Sequence, residues 1–156
     1  MQIPLLDIVG LQSTEPARRA DVARAIGAAC RDTGFFAITG HGVPAERIAD
    51  TFAAAAEFFE QPPQAKRPLA MAVHGHNRGY VALGTESLDE KAAPDLKEAF
   101  NLIWTDGTTR PVNVWPALPG WRERVQAYFD AMYQVGCRLH AAFALDLGLP
   151  ATFSVG

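Results

Sequence analysis

Apolar positions recur with a helical period in three stretches of the chain and form strand-like runs in three shorter ones. Ser13-Thr14-Glu15-Pro16 supplies cap candidates and a proline suited to a first helical turn. After it, Ala20, Ala23, Ile26, Ala29 and Cys30 share a face that Arg18, Arg19, Arg24 and Arg31 largely avoid, which predicts an amphipathic helix ending before Gly34. Pro44 opens a second helix with Ile48, Phe52, Ala55 and Phe59 in one stripe, and Pro62-Pro63 stops it. The third runs from Pro119 to about Leu147, striped by Val125, Tyr128, Phe129, Met132, Val135, Leu139 and Phe143 and closed by Gly148 and Pro150. At about 1.5 Å per residue it would be roughly 42 Å long.

Ile3 to Leu6 is an apolar run containing Pro4, which suits an edge strand. Phe35 to Thr39 is short, aromatic and bounded by glycines, as a strand is. These two flank the first helix, so the N-terminus predicts strand, helix, strand, and such a unit makes a right-handed parallel crossover. Lys97 to Trp104 reads as a further strand, with Glu98, Phe100, Leu102 and Trp104 on one face and Ala99, Asn101 and Ile103 on the other. Gln64 to Met71 predicts a short helical turn. Ala72 to Leu96 holds no period and is punctuated by Gly75, Gly79, Gly84 and Pro94; an irregular connection of that length is usually functional or disordered. The expected fold class is α+β and helix-rich.

Composition narrows the function classes. A chain of 156 residues suits one domain or part of a larger one, and 49% hydrophobic with 20% charged residues supports a packed core. Fourteen basic against seventeen acidic side chains give a net charge of −3, without the cationic excess that nucleic-acid binding needs. No apolar run approaches the roughly 18 residues of a membrane span. Met1 to Asp7 lacks the basic start of a signal peptide, so a cytoplasmic protein is expected. Cys30 and Cys137 fall in helical segments and are expected as buried thiols, not as a disulfide framework or a zinc site.

Candidate chemistry is sparse. His74-Gly75-His76 is the one histidine pair whose spacing lets two imidazoles share a metal, if the segment is a strand; the alternative is a solvated glycine-rich turn. His140, next to the long helix's stripe, is expected to be partly buried and structural. Glu86 with Asp89 or Glu90 offers paired carboxylates, which a charged loop explains equally well. The sequence has no G-x-G-x-x-G, no phosphate-binding G-x-x-x-x-G-K-[ST] and no G-x-S-x-G elbow. Neither cysteine has a histidine beside it to activate a thiolate.

Six segments in order do carry a family pattern. Ile3-Pro4-Leu5-Leu6-Asp7-Ile8 is similar to an opening "IPxID" strand, and Gly34-Phe35-Phe36-Ala37-Ile38-Thr39-Gly40-His41-Gly42-Val43 to "GFFxxxNHGV", with glycine where asparagine usually precedes the histidine. Phe58-Phe59 with Pro62 and Lys66 resembles "FFxLPxxxK", Gln61 replacing the usual apolar residue. Arg78-Gly79-Tyr80, Asp95 to Phe100 and Asn113-Val114-Trp115-Pro116 match "RGY", "DxKExF" and "NxWP". From Ile3 to about Leu149 the chain thus resembles the N-terminal region of the isopenicillin N synthase-like 2-oxoglutarate/iron(II) oxygenases.

The resemblance implies a domain over residues 1–150 and a tail, 151–156, where the family's C-terminal jelly-roll half would begin. Family chemistry uses two histidines and a carboxylate on Fe(II), with an arginine anchoring 2-oxoglutarate, all within that jelly roll. His-x-Asp and His-x-Glu occur nowhere here, so no catalytic, cofactor-binding or metal-ligating residue is expected in this chain. By resemblance, Arg78, Tyr80 and Phe100 are candidate substrate-binding residues at the mouth of a completed enzyme acting on a small molecule. A loop charge remains open for Arg78, and plain core for Phe100 and Leu102. His41 is expected to hold the turn after the second strand. Burying the long stripe would contribute on the order of 10–20 kcal/mol, so it needs a substantial partner. That partner is either the missing jelly-roll half or a second copy paired through the long helix. The latter would make the chain a stand-alone interaction protein or a degenerate, non-enzymatic family member.

Overall fold

A computed structural model of the chain describes residues 2–86, 93–106, 108 and 111–153. β1 (Leu5–Asp7) pairs in parallel with β2 (Ala37–Thr39), Leu5 opposite Ala37 and Asp7 opposite Thr39, with α1 (Pro16–Asp32) between them in the chain. Pro4 has no N–H to extend the ladder, but its carbonyl accepts from the Ala37 amide at 2.8 Å. The second strand starts later than expected because the Thr33 side chain claims Phe35: its hydroxyl oxygen accepts the Phe35 N–H at 3.3 Å and lies 2.7 Å from the Phe35 carbonyl.

The chain divides into two compact units, Met1–Ile48 with Ala127–Gly156, and Ala49–Gln126. In the first, Ile8, Ala23, Ile26, Val43, Val135 and Ala142 form an aliphatic interior. The Val43 N–H donates to His41 Nδ1 at 3.1 Å and Arg138 Nη2 donates to the His41 carbonyl at 2.7 Å, so His41 does hold the turn after β2. Two expectations fail here. Cys30 is exposed and Cys137 only half-buried. Ala23, Ile26 and Ala29 set the buried face of α1, and Cys30, one residue beyond Ala29, is turned about 100° from it.

In the second unit, the later part of α2 (Ala45–Phe59) buries Ala54 and Phe58, while Phe52 is 73% exposed. The expected stripe is therefore rotated. Ala53 to Ala56 carry no bulk to fix the rotation, and Phe58, not Phe59, is the ring with a full set of aromatic neighbours. α3 (Pro63–Lys66), a 3-10 turn (Arg67–Leu69) and α4 (Met71–His74) follow. β3 (Gly79–Val81) then pairs antiparallel with β4 (Ala99–Asn101), Tyr80 opposite Phe100.

β3 lies in the stretch expected to be irregular. All three of its residues are buried, so no alternation marks it. Gly79 adopts φ +106 against the Leu69 carbonyl, where a Cβ would collide. The strand expected over 97–104 pairs only at its centre, because the Asn113 side chain takes both backbone groups of Ile103, at 3.1 and 2.9 Å.

α5 (Trp121–Asp146) supplies residues up to Gln126 to the second unit and the remainder to the first. Gly148, at φ +73, caps it, with the Leu149 N–H donating to the Ala144 carbonyl at 2.8 Å. Val135 and Ala142 are buried, but Met132 and His140 are exposed, so His140 is not the half-buried residue expected. Among the described residues no helix is long and apolar enough to cross a membrane.

Candidate functional site

The second unit gathers most of the residues that the sequence motifs single out. Phe58 is its hub, with ring centroids 4.9 Å from Phe100 and 5.9 Å from both Tyr80 and Trp121. Edge-to-face packing of this kind fixes ring orientation as well as burying area. Trp121 Nε1 donates to the Ala54 carbonyl at 2.8 Å, which leaves the indole nitrogen satisfied in the interior.

Beside this cluster lies an ion that the hydrophobic pattern does not announce. Lys66 is 3% exposed. Its Nζ donates to the Phe59 carbonyl at 2.8 Å and to Glu98 Oε1 at 2.6 Å, and lies 5.5 Å from the centre of the Tyr80 ring. The Tyr80 hydroxyl donates to the same Glu98 oxygen. The Lys66 ammonium, with the Tyr80 hydroxyl second, holds the Glu98 carboxyl below its ordinary range. Burial and the bond to Glu98 push the Tyr80 phenol up to about 12. Lys66 and Glu98 stand 32 residues apart, each inside a motif but with no local sign that they meet. The one available signal is that each stands in a family-like motif, Lys66 closing "FFxLPxxxK" and Glu98 inside "DxKExF".

The three candidate substrate residues fall in different surroundings. Tyr80 and Phe100 are cross-strand partners within the aromatic cluster, where Leu102 also packs, and the Tyr80 hydroxyl is committed to Glu98. Arg78, just before β3, is half-buried and so is no free loop charge; its Nε is buried without a hydrogen-bond partner. Its backbone N–H donates to His76 Nδ1 at 3.2 Å. Between α4 and β3 opens a cleft of about 500 Å³ whose walls include Ala70, Met71, His76, Tyr80, Val81 and Ala82.

His74 and His76 do not form a strand-borne metal pair. His74 ends α4, Gly75 turns the chain at φ +69, and the two rings stack at 5.6 Å. His74 Nε2 lies 2.9 Å from the Pro68 carbonyl and His76 Nδ1 accepts from Arg78, so one nitrogen of each ring is already engaged. Among the described residues no three His, Cys, Asp or Glu side chains gather to hold a metal. An Fe(II) centre of two imidazoles and a carboxylate does not fit this donor set. Of the carboxylates in the loop after β3, Glu86 pairs with Lys97 at 2.9 Å, while Asp89 and Glu90 lie outside the described residues.

Comparison with known proteins agrees with this layout. Residues 3–118 match the family model described as "non-haem dioxygenase in morphine synthesis N-terminal". The chain is 32% identical over 160 residues to the 2-oxoglutarate-dependent dioxygenase caaD of Aspergillus niger, covering 96% of this chain and 49% of that protein. It is 34% identical over 163 residues to a validamycin A dioxygenase of Streptomyces hygroscopicus subsp. limoneus, covering 97% and 45%. Among solved structures, a full-length Neurospora crassa protein crystallised in complex with alpha-KG superposes with a TM-score of 0.83 at 25% identity, covering 97% of this chain and 49% of that one. The chain spans about half the length of the relatives it matches. By motif order, fold and sequence, this chain belongs to the non-haem dioxygenase N-terminal family and corresponds to the N-terminal half of 2-oxoglutarate/Fe(II)-dependent dioxygenases.

Proposed function

We propose that this chain is the structural and substrate-mouth half of a 2-oxoglutarate/Fe(II)-dependent oxygenase acting on a small molecule in the cytoplasm, and that it is not catalytically competent alone. The carrying observation is the coverage: almost all of this chain aligns with only 49% of a 2-oxoglutarate-dependent dioxygenase. The domain of residues 1–150 would be completed by a C-terminal jelly-roll half following residues 151–156. That half would hold Fe(II) and 2-oxoglutarate, which together supply the oxidising chemistry. The part played by this chain is to bind and orient. The aromatic cluster around Phe58 and the Lys66–Glu98 pair fix β3 and β4, and with them Tyr80, Phe100 and the backbone before Gly79. Arg78 then presents a planar donor fork to a carboxylate or another polar group of the substrate; its unpartnered Nε supports that role.

The test is titration of Fe(II) and 2-oxoglutarate into this chain beside a version extended by its downstream sequence. The extended protein should bind both and turn over 2-oxoglutarate, and this chain should do neither. Tight stoichiometric iron in this chain, abolished by replacing His74 and His76, would overturn the proposal. In the extended enzyme, Arg78→Ala should weaken apparent substrate affinity roughly ten- to hundred-fold, the effect of about 1.5–3 kcal/mol from one charge-assisted hydrogen bond, with iron binding and melting temperature nearly unchanged. A second reading, self-association through α5, draws on the exposure of Met132 and Tyr133, at 39% and 43%. Sedimentation of this chain as a monomer at all concentrations would remove it.

A further inference from the structure

The cleft between α4 and β3 carries a more specific reading, because its polar inventory selects among ligands. At about 500 Å³ it falls within the range of small-molecule sites. Its walls are chiefly methyl and methylene groups from Ala70, Met71, Ala72, Val81 and Ala82. Met71 is held from behind, its sulfur lying 3.3 Å from Asn101 Nδ2, so the side chain is a fixed part of the wall.

Few polar groups face this space, and most are already spent. The Tyr80 hydroxyl bonds to Glu98, and the Thr85 hydroxyl donates to the Ala82 carbonyl at 2.6 Å. Glu86 is the one charged residue among the described lining, and it pairs at 2.9 Å with Lys97, which Asp95 shares at 3.3 Å. His76 accepts the Arg78 N–H at Nδ1, so the neutral ring carries its proton on Nε2 and offers one N–H donor. Asn77 stands next to it in the lining.

From this inventory we infer that the cleft binds the uncharged, largely apolar part of a small molecule, and that a carbonyl or similar acceptor on that part meets the His76–Asn77 edge. A carboxylate would leave water to face Glu86 with no cation in the lining to receive it. An ammonium would find Glu86 already paired. A carboxylate would therefore be desolvated without compensation, and an ammonium would have to displace Lys97 from Glu86. Arg78 is not among the lining residues, so its charge does not enter this balance. The inference rests on the preceding proposal only in identifying the molecule as a substrate.

The test uses this chain with benzophenone, an uncharged aromatic ketone that labels nearby C–H bonds on irradiation, and needs neither iron nor 2-oxoglutarate. The label should map chiefly to the peptide containing Met71. Ala72→Trp, which fills the cleft from an exposed position, should cut that label at least fivefold while leaving the melting temperature unchanged. Benzophenone-4-carboxylate and 4-(aminomethyl)benzophenone should each label at least fivefold less than the parent ketone. Overturning results are a label spread along the chain, a label indifferent to Ala72→Trp, or a charged analogue that labels as well as the ketone. Should Ala72→Trp lower the melting temperature, excess unlabelled acetophenone serves instead, and failure to compete would overturn the inference. An extended enzyme that turns over while this labelling fails would count against the cleft alone. Specific labelling in a chain whose extended form stays inactive would count against the oxygenase proposal alone.

Discussion

The two compact units hold their interiors in different ways. The first is aliphatic, with Ile8, Ile26, Val43 and Val135 at its centre, and its polar ties bind helix ends and turns, as between Arg138 and His41 or Arg31 and Asp146. The second is aromatic, centred on Phe58, and encloses the ammonium of Lys66. Aliphatic packing tolerates changes of shape that keep volume, whereas edge-to-face rings and a buried ion demand direction. The first unit should therefore degrade gradually under substitution and the second abruptly, and the candidate site lies in the second.

The largest expected effect is at the hub. Phe58→Ala removes a fully buried ring with four aromatic neighbours and should cost about 3–5 kcal/mol, seen in urea unfolding together with loss of the near-ultraviolet circular dichroism of Tyr80 and Trp121. Ile26→Ala in the first unit, truncated to the same residue, should cost about 2–5 kcal/mol but leave those bands intact. Loss of those bands in both variants would erase the distinction.

Lys66→Met comes next. It keeps most of the volume but removes the charge-assisted hydrogen bond to Glu98, and because water reaches the Glu98 side chain, which is 31% exposed, the cost should be about 1.5–3 kcal/mol. The pH dependence gives an independent signature. The folded protein holds Glu98 below its ordinary 4.5, so the pair's stabilisation is present above that value and is lost as pH falls through the depressed one. Tyr80 works at the other end: its stabilisation is complete below 10 and disappears as pH rises through about 12. Lys66→Met should flatten the acid limb of the stability curve. An unaltered acid limb would mean that Lys66 does not hold the Glu98 carboxyl down.

The same contrast explains what the sequence made legible. α1, the β1–β2 pair, the turn at His41 and α5 follow from local periods and punctuation, because each is long enough, or bounded clearly enough, to write its partner's side into its own residues. β3 could not be read that way. It has three residues, all buried, and a buried strand shows no alternation. The choice of Phe58 over Phe59 as the inward ring is made by Tyr80, Phe100 and Trp121, which are 22 to 63 residues away by sequence number. The Lys66–Glu98 pair and the cleft exist only after those chain segments have met. Of the candidate site, the motifs marked Arg78, Tyr80 and Phe100, but that the Tyr80 hydroxyl is spent on Glu98 was invisible in the linear chain.

The smallest effect tests the periphery of the first unit. Gly27 lies inside α1, where glycine costs roughly 0.5–1 kcal/mol relative to alanine, so Gly27→Ala would ordinarily stabilise. Here a Cβ would run into the Asp146 carboxylate at the end of α5. That carboxylate is only 9% exposed and is held by Arg31 Nη1 at 2.6 Å, so it cannot swing away freely. Gly27→Ala alone should therefore cost about 1 kcal/mol, overpacking outweighing the gain in helix propensity. Asp146→Ala removes the obstruction and surrenders an ion pair whose arginine is 62% exposed and so screened by solvent. The double variant should be more stable than the sum of the single changes by about 0.5–3 kcal/mol in a urea-unfolding cycle. Strict additivity would show that α1 and α5 do not need the glycine slot, and the first unit's tolerance would then extend to its edges as well as its interior.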